Sequence, residues 1–156
     1  MVGMEFEYSK HKIVFNRELS DLDKLVLRFV KTLEKTKIKY VIISGYIAIL
    51  FGRSRNTEDV DLFIEKIDLN KLKEWWDLLD KEGFECVNAS NPEEALDDYL
   101  NGHLSIRFAV NGKVIPNFEV KLPKEEAAFY AMTHPVKVIL NGNPLMTSEL
   151  EMQIAY

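Results

Sequence analysis

The sequence predicts a mixed α/β (α+β) fold, one domain with a mixed central sheet and helices packed on it. Three observations carry that reading. Apolar residues recur at helical spacing in one segment and in β-branched runs in the next, so helices and strands alternate along the chain. Two β-rich runs flank Asn111-Gly112, and a tight hairpin there forces antiparallel pairing into the sheet. The chain has 156 residues, 47% hydrophobic and 29% charged, enough to bury one core and fold alone.

Each element has its own signal. "HKIVF" near the start is either a short strand or an arm packed on the body. In "SDLDKLVLRFVKTLEKTK", Leu22, Leu25, Val26, Phe29, Val30 and Leu33 form one stripe of an α-helix, with Ser20 as N-cap and Asp23 three residues on. The basic stretch 31–39 reads as a solvated face of that helix, with an RNA contact as the minor alternative. "KYVIIS" is a short buried strand ended by Gly45, and "YIAILF" (46–51) a short helix closed by Gly52. "TEDVDLFIE" is the next strand. In "DLNKLKEWWDLLDKEG", Leu69, Leu72, Trp76 and Leu79 share a helical stripe, Asp68 caps it and Gly83 stops it, which puts Trp76 in the core.

"FECVNA" is a further strand, with Cys86 as a small core residue. "SNPEEALDDYLNG" is a short helix with Pro92 in its first turn. "HLSIRFAVNGKVIPNFEVKL" is a hairpin with a type I′ turn at Asn111-Gly112. "PKEEAAFYAMTH" starts a helix near Pro123, and "VKVILNGNPLM" holds a second Asn-Gly turn at Asn141-Gly142. "TSELEMQIAY" opens a helix with a Ser148/Glu151 capping box. Its pattern is still running at Tyr156, which predicts that the single domain 1–156 lacks a C-terminal helical extension.

Bulk numbers exclude several classes. The net charge is −5, so overall charge does not drive nucleic-acid binding, and such a partner needs a local basic patch. No apolar run approaches the ~20 residues of a membrane span, and the first residues lack the apolar stretch of a secretory signal. The single cysteine, Cys86, makes no internal disulfide, which fits a cytoplasmic protein. High Lys and Glu content with one glutamine, Gln153, leans towards a thermophilic source. His11, His103 and His134 match no metal-ligand spacing and read as turn or surface residues.

The chemistry concentrates in residues 43–65, "ISGYIAILFGRSRNTEDVDLFIE". Alternate strand residues share a face, so Asp59 and Asp61 point the same way while Val60, Leu62 and Ile64 point the other. Two carboxylates on one face repel unless a cation neutralises them, and oxygen-only ligands suit Mg²⁺ or Mn²⁺ carrying phosphates. Gly45, ending a strand and opening a helix, lets backbone N–H groups approach a phosphate, and Arg53 and Arg55 supply further positive charge. Glu119 in "NFEVKL" is the candidate third acid, for a second metal or as general base; its alternative is a solvent-facing partner of Lys121. Lys121 is carried as a phosphate contact, and Thr57 as a residue orienting Asp59.

Strand, Gly, short helix and then R-x-T-x-D-x-D in a strand resembles the nucleotidyltransferase superfamily, the DNA polymerase β-like fold. In particular, "RSRNTEDVDLFI" is similar to the corresponding run of small AbiEii-toxin-type members. The resemblance is specific over residues 41–65 and topological elsewhere. It implies that Asp59 and Asp61 hold metal, that Gly45 meets the triphosphate, and that an NMP moves from an NTP to an acceptor hydroxyl. The acceptor is open between tRNA, a protein and a small molecule. Tyr46 departs from the pattern: the family has Gly or Ser there, and Tyr either blocks close approach or offers its own hydroxyl, with Ser44 as a compensating neighbour. The other reading is an inactive member that works as a toxin–antitoxin component or interaction module with a protein partner. A nucleotide-sugar glycosyltransferase also uses D-x-D, but this chain is short for that chemistry.

Overall fold

The computed structural model describes residues 5–9, 12–43, 46 and 59–148. Within them the strands are β1 (Glu5–Ser9), β2 (Lys12–Asn16), β3 (Tyr40–Ile43), β4 (Asp59–Ile64), β5 (Phe84–Cys86), β6 (Ile106–Val110), β7 (Asn117–Lys121), β8 (Val136–Leu140) and β9 (Asn143–Thr147). They form one mixed sheet of nine strands, ordered β1-β2-β8-β9-β3-β4-β7-β6-β5. The pairs β2/β8, β9/β3 and β4/β7 are parallel, and the other neighbours are antiparallel.

The helices are α1 (Asp21–Lys35), α2 (Leu69–Lys81), α3 and α4 (Glu126–Thr133). Helix α3 opens at Pro92–Glu94 behind the Asn91 cap, widens to a π turn over Ala95–Tyr99 and tightens into a 3₁₀ turn at Leu100–Gly102. None of the described helices is long and apolar enough to cross a membrane.

The principal core lies between the α1/α2 layer and one face of the sheet. Ile42, Val60, Leu62, Ile64, Phe118 and Val120 project there and meet Val26, Phe29, Leu33, Leu72 and Leu79. Phe29 stacks on Phe118 with centroids 4.0 Å apart and meets Trp75 and Phe84 edge-on. Each such fully buried side chain stabilises the fold by about 1.5–3 kcal/mol. Strand parity turns Val41, Ile43 and Phe63 to the opposite face, where Ala128 and Ala131 of α4 cover them.

The α1 stripe forms as expected, and Ser20 with Asp23 makes a reciprocal capping box. Two expectations need correction. On α2 it is Trp75 that is fully buried, with its indole N–H donating to Thr32 Oγ1 at 2.8 Å, while Trp76 is half-buried and edge-on to Phe108. Neighbouring helical residues differ by ~100° in direction, and the hydroxyl of α1 chooses between them.

The β6–β7 hairpin is antiparallel as expected, but its connection runs over 111–116. Only Gly112 takes positive φ (+80°), so the turn at Asn111-Gly112 is not type I′, which needs positive φ at both central residues. The second Asn-Gly pair meets that demand: Asn141 (φ 48°) and Gly142 (φ 80°) join β8 to β9 through a two-residue loop. The expected helices at 46–51 and from 148 onward lie outside the described residues, apart from Tyr46 and Ser148.

Candidate active site

The acids meet because of register. Strand β4 runs parallel to β7, with Asp59 opposite Asn117 and Asp61 opposite Glu119. Strand β6 then places Arg107 opposite Glu119 from the other side. One row across three strands therefore reads Asp61, Glu119, Arg107, and the next reads Asp59, Asn117. Opposed residues on adjacent strands lie about 5 Å apart and steps of two residues about 7 Å apart, so these side chains share one patch. It lies on the α4 face of the sheet.

The three acids do not stand alike. Glu119 Oε1 accepts from both Arg107 Nη2 (2.8 Å) and Nε (2.9 Å). Hydrogen bonding with the neighbouring Asp61 carboxyl, and then the Arg107 contact, hold the Glu119 carboxyl below its ordinary value, while partial burial works against them. Asp59 is exposed, and its Oδ1 accepts from Asn117 Nδ2 at 2.7 Å. Among the described residues no group of three or more His, Cys, Asp or Glu side chains converges as metal ligands. Asp61 and Glu119 face each other, and Asp59 is turned to Asn117.

These rows carry three carboxylates, oxygen donors of the kind that suits a hard divalent cation, and the buried Asn117 Oδ1 has no hydrogen-bond partner among the described residues. Lys121 does not pair with Glu119. Its ammonium lies 5.3 Å from the Phe63 ring centroid, beside a cavity of about 190 Å³ that His103 and Lys124 also line. A larger cavity of about 400 Å³ lies by Trp76, Cys86, Asn88 and Phe108, away from the acids. Chemistry, not volume, selects the acid face.

Tyr46 has a different place from the one the sequence suggests. Its side chain is fully buried, and its hydroxyl donates to Asp23 Oδ1 at 2.8 Å. The same carboxylate accepts from Arg17 Nη2 at 2.8 Å and from the Ser20 N–H at 2.9 Å. Burial, and then the Asp23 charge, push the Tyr46 hydroxyl far above its ordinary pKa, so it remains a donor. The hydroxyl is therefore committed to Asp23 and not to a phosphate, and it ties Tyr46 to the start of α1. Ser44, Gly45, Arg53, Arg55 and Thr57 lie outside the described residues, as does His11.

Sequence reading missed Arg107 and Asn117 as members of this patch. Arg107 did carry a signal: it is a cation between Ile106 and Phe108 in an apolar strand, the same anomaly that marks the Asp pair. Cys86 is half-buried, and burial raises its thiol pKa, so nothing marks it as a nucleophile.

The described elements form a mixed α/β fold, with α1 and α2 on one face of the sheet and the acids on the other. The chain is similar to the crystal structure of an antigenic nucleotidyltransferase-like protein from Paracoccidioides brasiliensis, with 20% sequence identity and a TM-score of 0.50. The match covers 84% of this chain and 62% of that one, so this chain spans less than two thirds of the other's length. At that identity the likeness is one of fold. No family model matches the chain, and neither does any curated protein.

Proposed function

We propose that this protein is a metal-dependent nucleotidyltransferase that moves an NMP from an NTP to an acceptor hydroxyl. The observation that supports it most is the pairing of Asp61 with Glu119 across parallel strands, with Asp59 in the adjacent row. In the reaction the acceptor hydroxyl gives up its proton, to Glu119 or to water, its oxygen forms a bond to the α-phosphorus, the bond from that phosphorus to the bridging oxygen of the β-phosphate breaks, and pyrophosphate leaves. A bound Mg²⁺ or Mn²⁺ would supply charge neutralisation and orientation for the phosphates. Asp59, Asp61 and Glu119 are the residues to hold it. Glu119, opposite Asp61, is placed either to hold the ion with it or to take the acceptor's proton. On sequence grounds Gly45, Arg53 and Arg55 are assigned the phosphates.

The test is transfer of labelled NMP in the presence of Mg²⁺ or Mn²⁺, offered to RNA, protein and small-molecule hydroxyl acceptors. Asp61→Asn should lose transfer by at least about 100-fold, as removal of charge stabilisation at a reacting phosphate does. An unchanged rate in Asp61→Asn would refute the assignment.

A second reading is favoured by the same patch. Arg107 occupies Glu119 and Asn117 holds Asp59, an arrangement suited to a catalytically weak member that serves as a toxin–antitoxin component or interaction module. Thermal melting with each NTP and millimolar Mn²⁺ separates the two, because a ligand that binds the native state raises its stability. No shift with any NTP selects the second.

A further inference from the structure

The acid face contains its own cation, and its geometry differs from that of the other arginine–carboxylate pair. Arg17 and Asp23 are buried together, with side chains 17% and 1% exposed, and Asp23 takes further hydrogen bonds from Tyr46 and Ser20. Arg107 is 50% exposed on Glu119 at 22%. It puts both Nη2 and Nε on the single oxygen Oε1. The β6 and β7 backbones are held by their own ladder, so the Arg107 side chain can swing away without disturbing the sheet. Exposed ion pairs of this kind are weak.

Resting on the reading above, we propose that Arg107 is an exchangeable counter-ion. It neutralises Glu119 while no divalent ion is bound, leaves that carboxylate when one binds, and is then free to meet an anionic ligand on the same face. The reason is electrostatic. Guanidinium stays charged at every working pH, so its charge leaves only by movement. A divalent ion beside Asp61 and Glu119 would repel a guanidinium still seated on Glu119. Conversely, with neither cation Asp61 and Glu119 could both ionise only against their mutual repulsion.

The experiment is Mn²⁺ binding to the full chain, read by calorimetry and by melting temperature in EDTA and at saturating Mn²⁺. Arg107→Gln should bind Mn²⁺ about 3- to 10-fold more tightly than wild type, because the competing charge is gone. It should melt lower than wild type in EDTA, and the gap should close at saturating Mn²⁺. Arg107→Lys, which keeps a charge, should bind Mn²⁺ close to wild type. In a Glu119→Gln background, Arg107→Gln should bring no further gain. Equal or weaker Mn²⁺ binding by Arg107→Gln, with wild type binding normally, overturns this inference alone. Failure of wild type and both Arg107 variants to bind Mn²⁺ overturns it together with the metal-dependent reading.

Discussion

Replacing Tyr46 by Phe tests the reassignment of that residue from phosphate neighbour to anchor. The substitution removes one oxygen from a fully buried side chain and deletes a 2.8 Å hydrogen bond to the Asp23 carboxylate. A hydrogen bond to a charged partner contributes about 1.5–3 kcal/mol. For a chain of this size each kcal/mol moves the melting temperature by about 2–4 °C, so the expected fall is about 3–12 °C. Asp23 keeps Arg17 and the Ser20 N–H in the variant, which bounds the loss. Asp23→Ala should cost more, about 3–5 kcal/mol, since it breaks the capping box and removes the carboxylate that both Arg17 and the Tyr46 hydroxyl meet. Urea unfolding followed by tryptophan fluorescence measures both, and in the Asp23→Ala background Tyr46→Phe should cost almost nothing. Mn²⁺ affinity should not change in Tyr46→Phe, because the hydroxyl faces α1 and not the acids. Tyr46→Ser, the residue type of the resembling family, should destabilise the fold by about 3–5 kcal/mol through the cavity it leaves. Stability of Tyr46→Phe within about 0.5 kcal/mol of wild type would refute the anchoring argument.

The two tryptophans should separate in the same assay. Trp75→Phe loses a buried indole hydrogen bond to Thr32 and is expected to cost about 2–3 kcal/mol, whereas the half-buried Trp76→Phe should cost under about 1; the reverse order would contradict the packing of α2. Burial raises the Cys86 thiol above its ordinary value of 9.0, so less thiolate exists at any given pH. Iodoacetamide should label native Cys86 far more slowly at pH 8 than urea-unfolded protein, with the rate still climbing above pH 9. Equal rates in the two states would show an open thiol.

The elements themselves were legible because their determinants are local. The α1 stripe, the Ser20 box, the Pro92 turn and the Asn141-Gly142 turn each depend on residues within a few positions. Local rules failed where two neighbours satisfied them equally. Asn111-Gly112 and Asn141-Gly142 are the same dipeptide, yet only the second sits between strands in a register that demands a two-residue loop. Trp75 and Trp76 fit the helix alike, and a hydroxyl on another helix decides which enters the core.

The site divides in the same way. Strand parity alone makes Asp59 and Asp61 share a face, and their expense in an apolar strand announces them. Their partners come from β7, far along the chain, as the Asp59–Asn117 hydrogen bond between residues 58 apart shows. Only the parallel register of β4 on β7 seats Glu119 opposite Asp61, and only the next strand brings Arg107 onto Glu119. The sequence by itself determined which residues are costly to bury. Which charges meet, and that Tyr46 turns to Asp23 instead of to a phosphate, the tertiary structure decided, because long-range register and burial set the partners of a buried polar group.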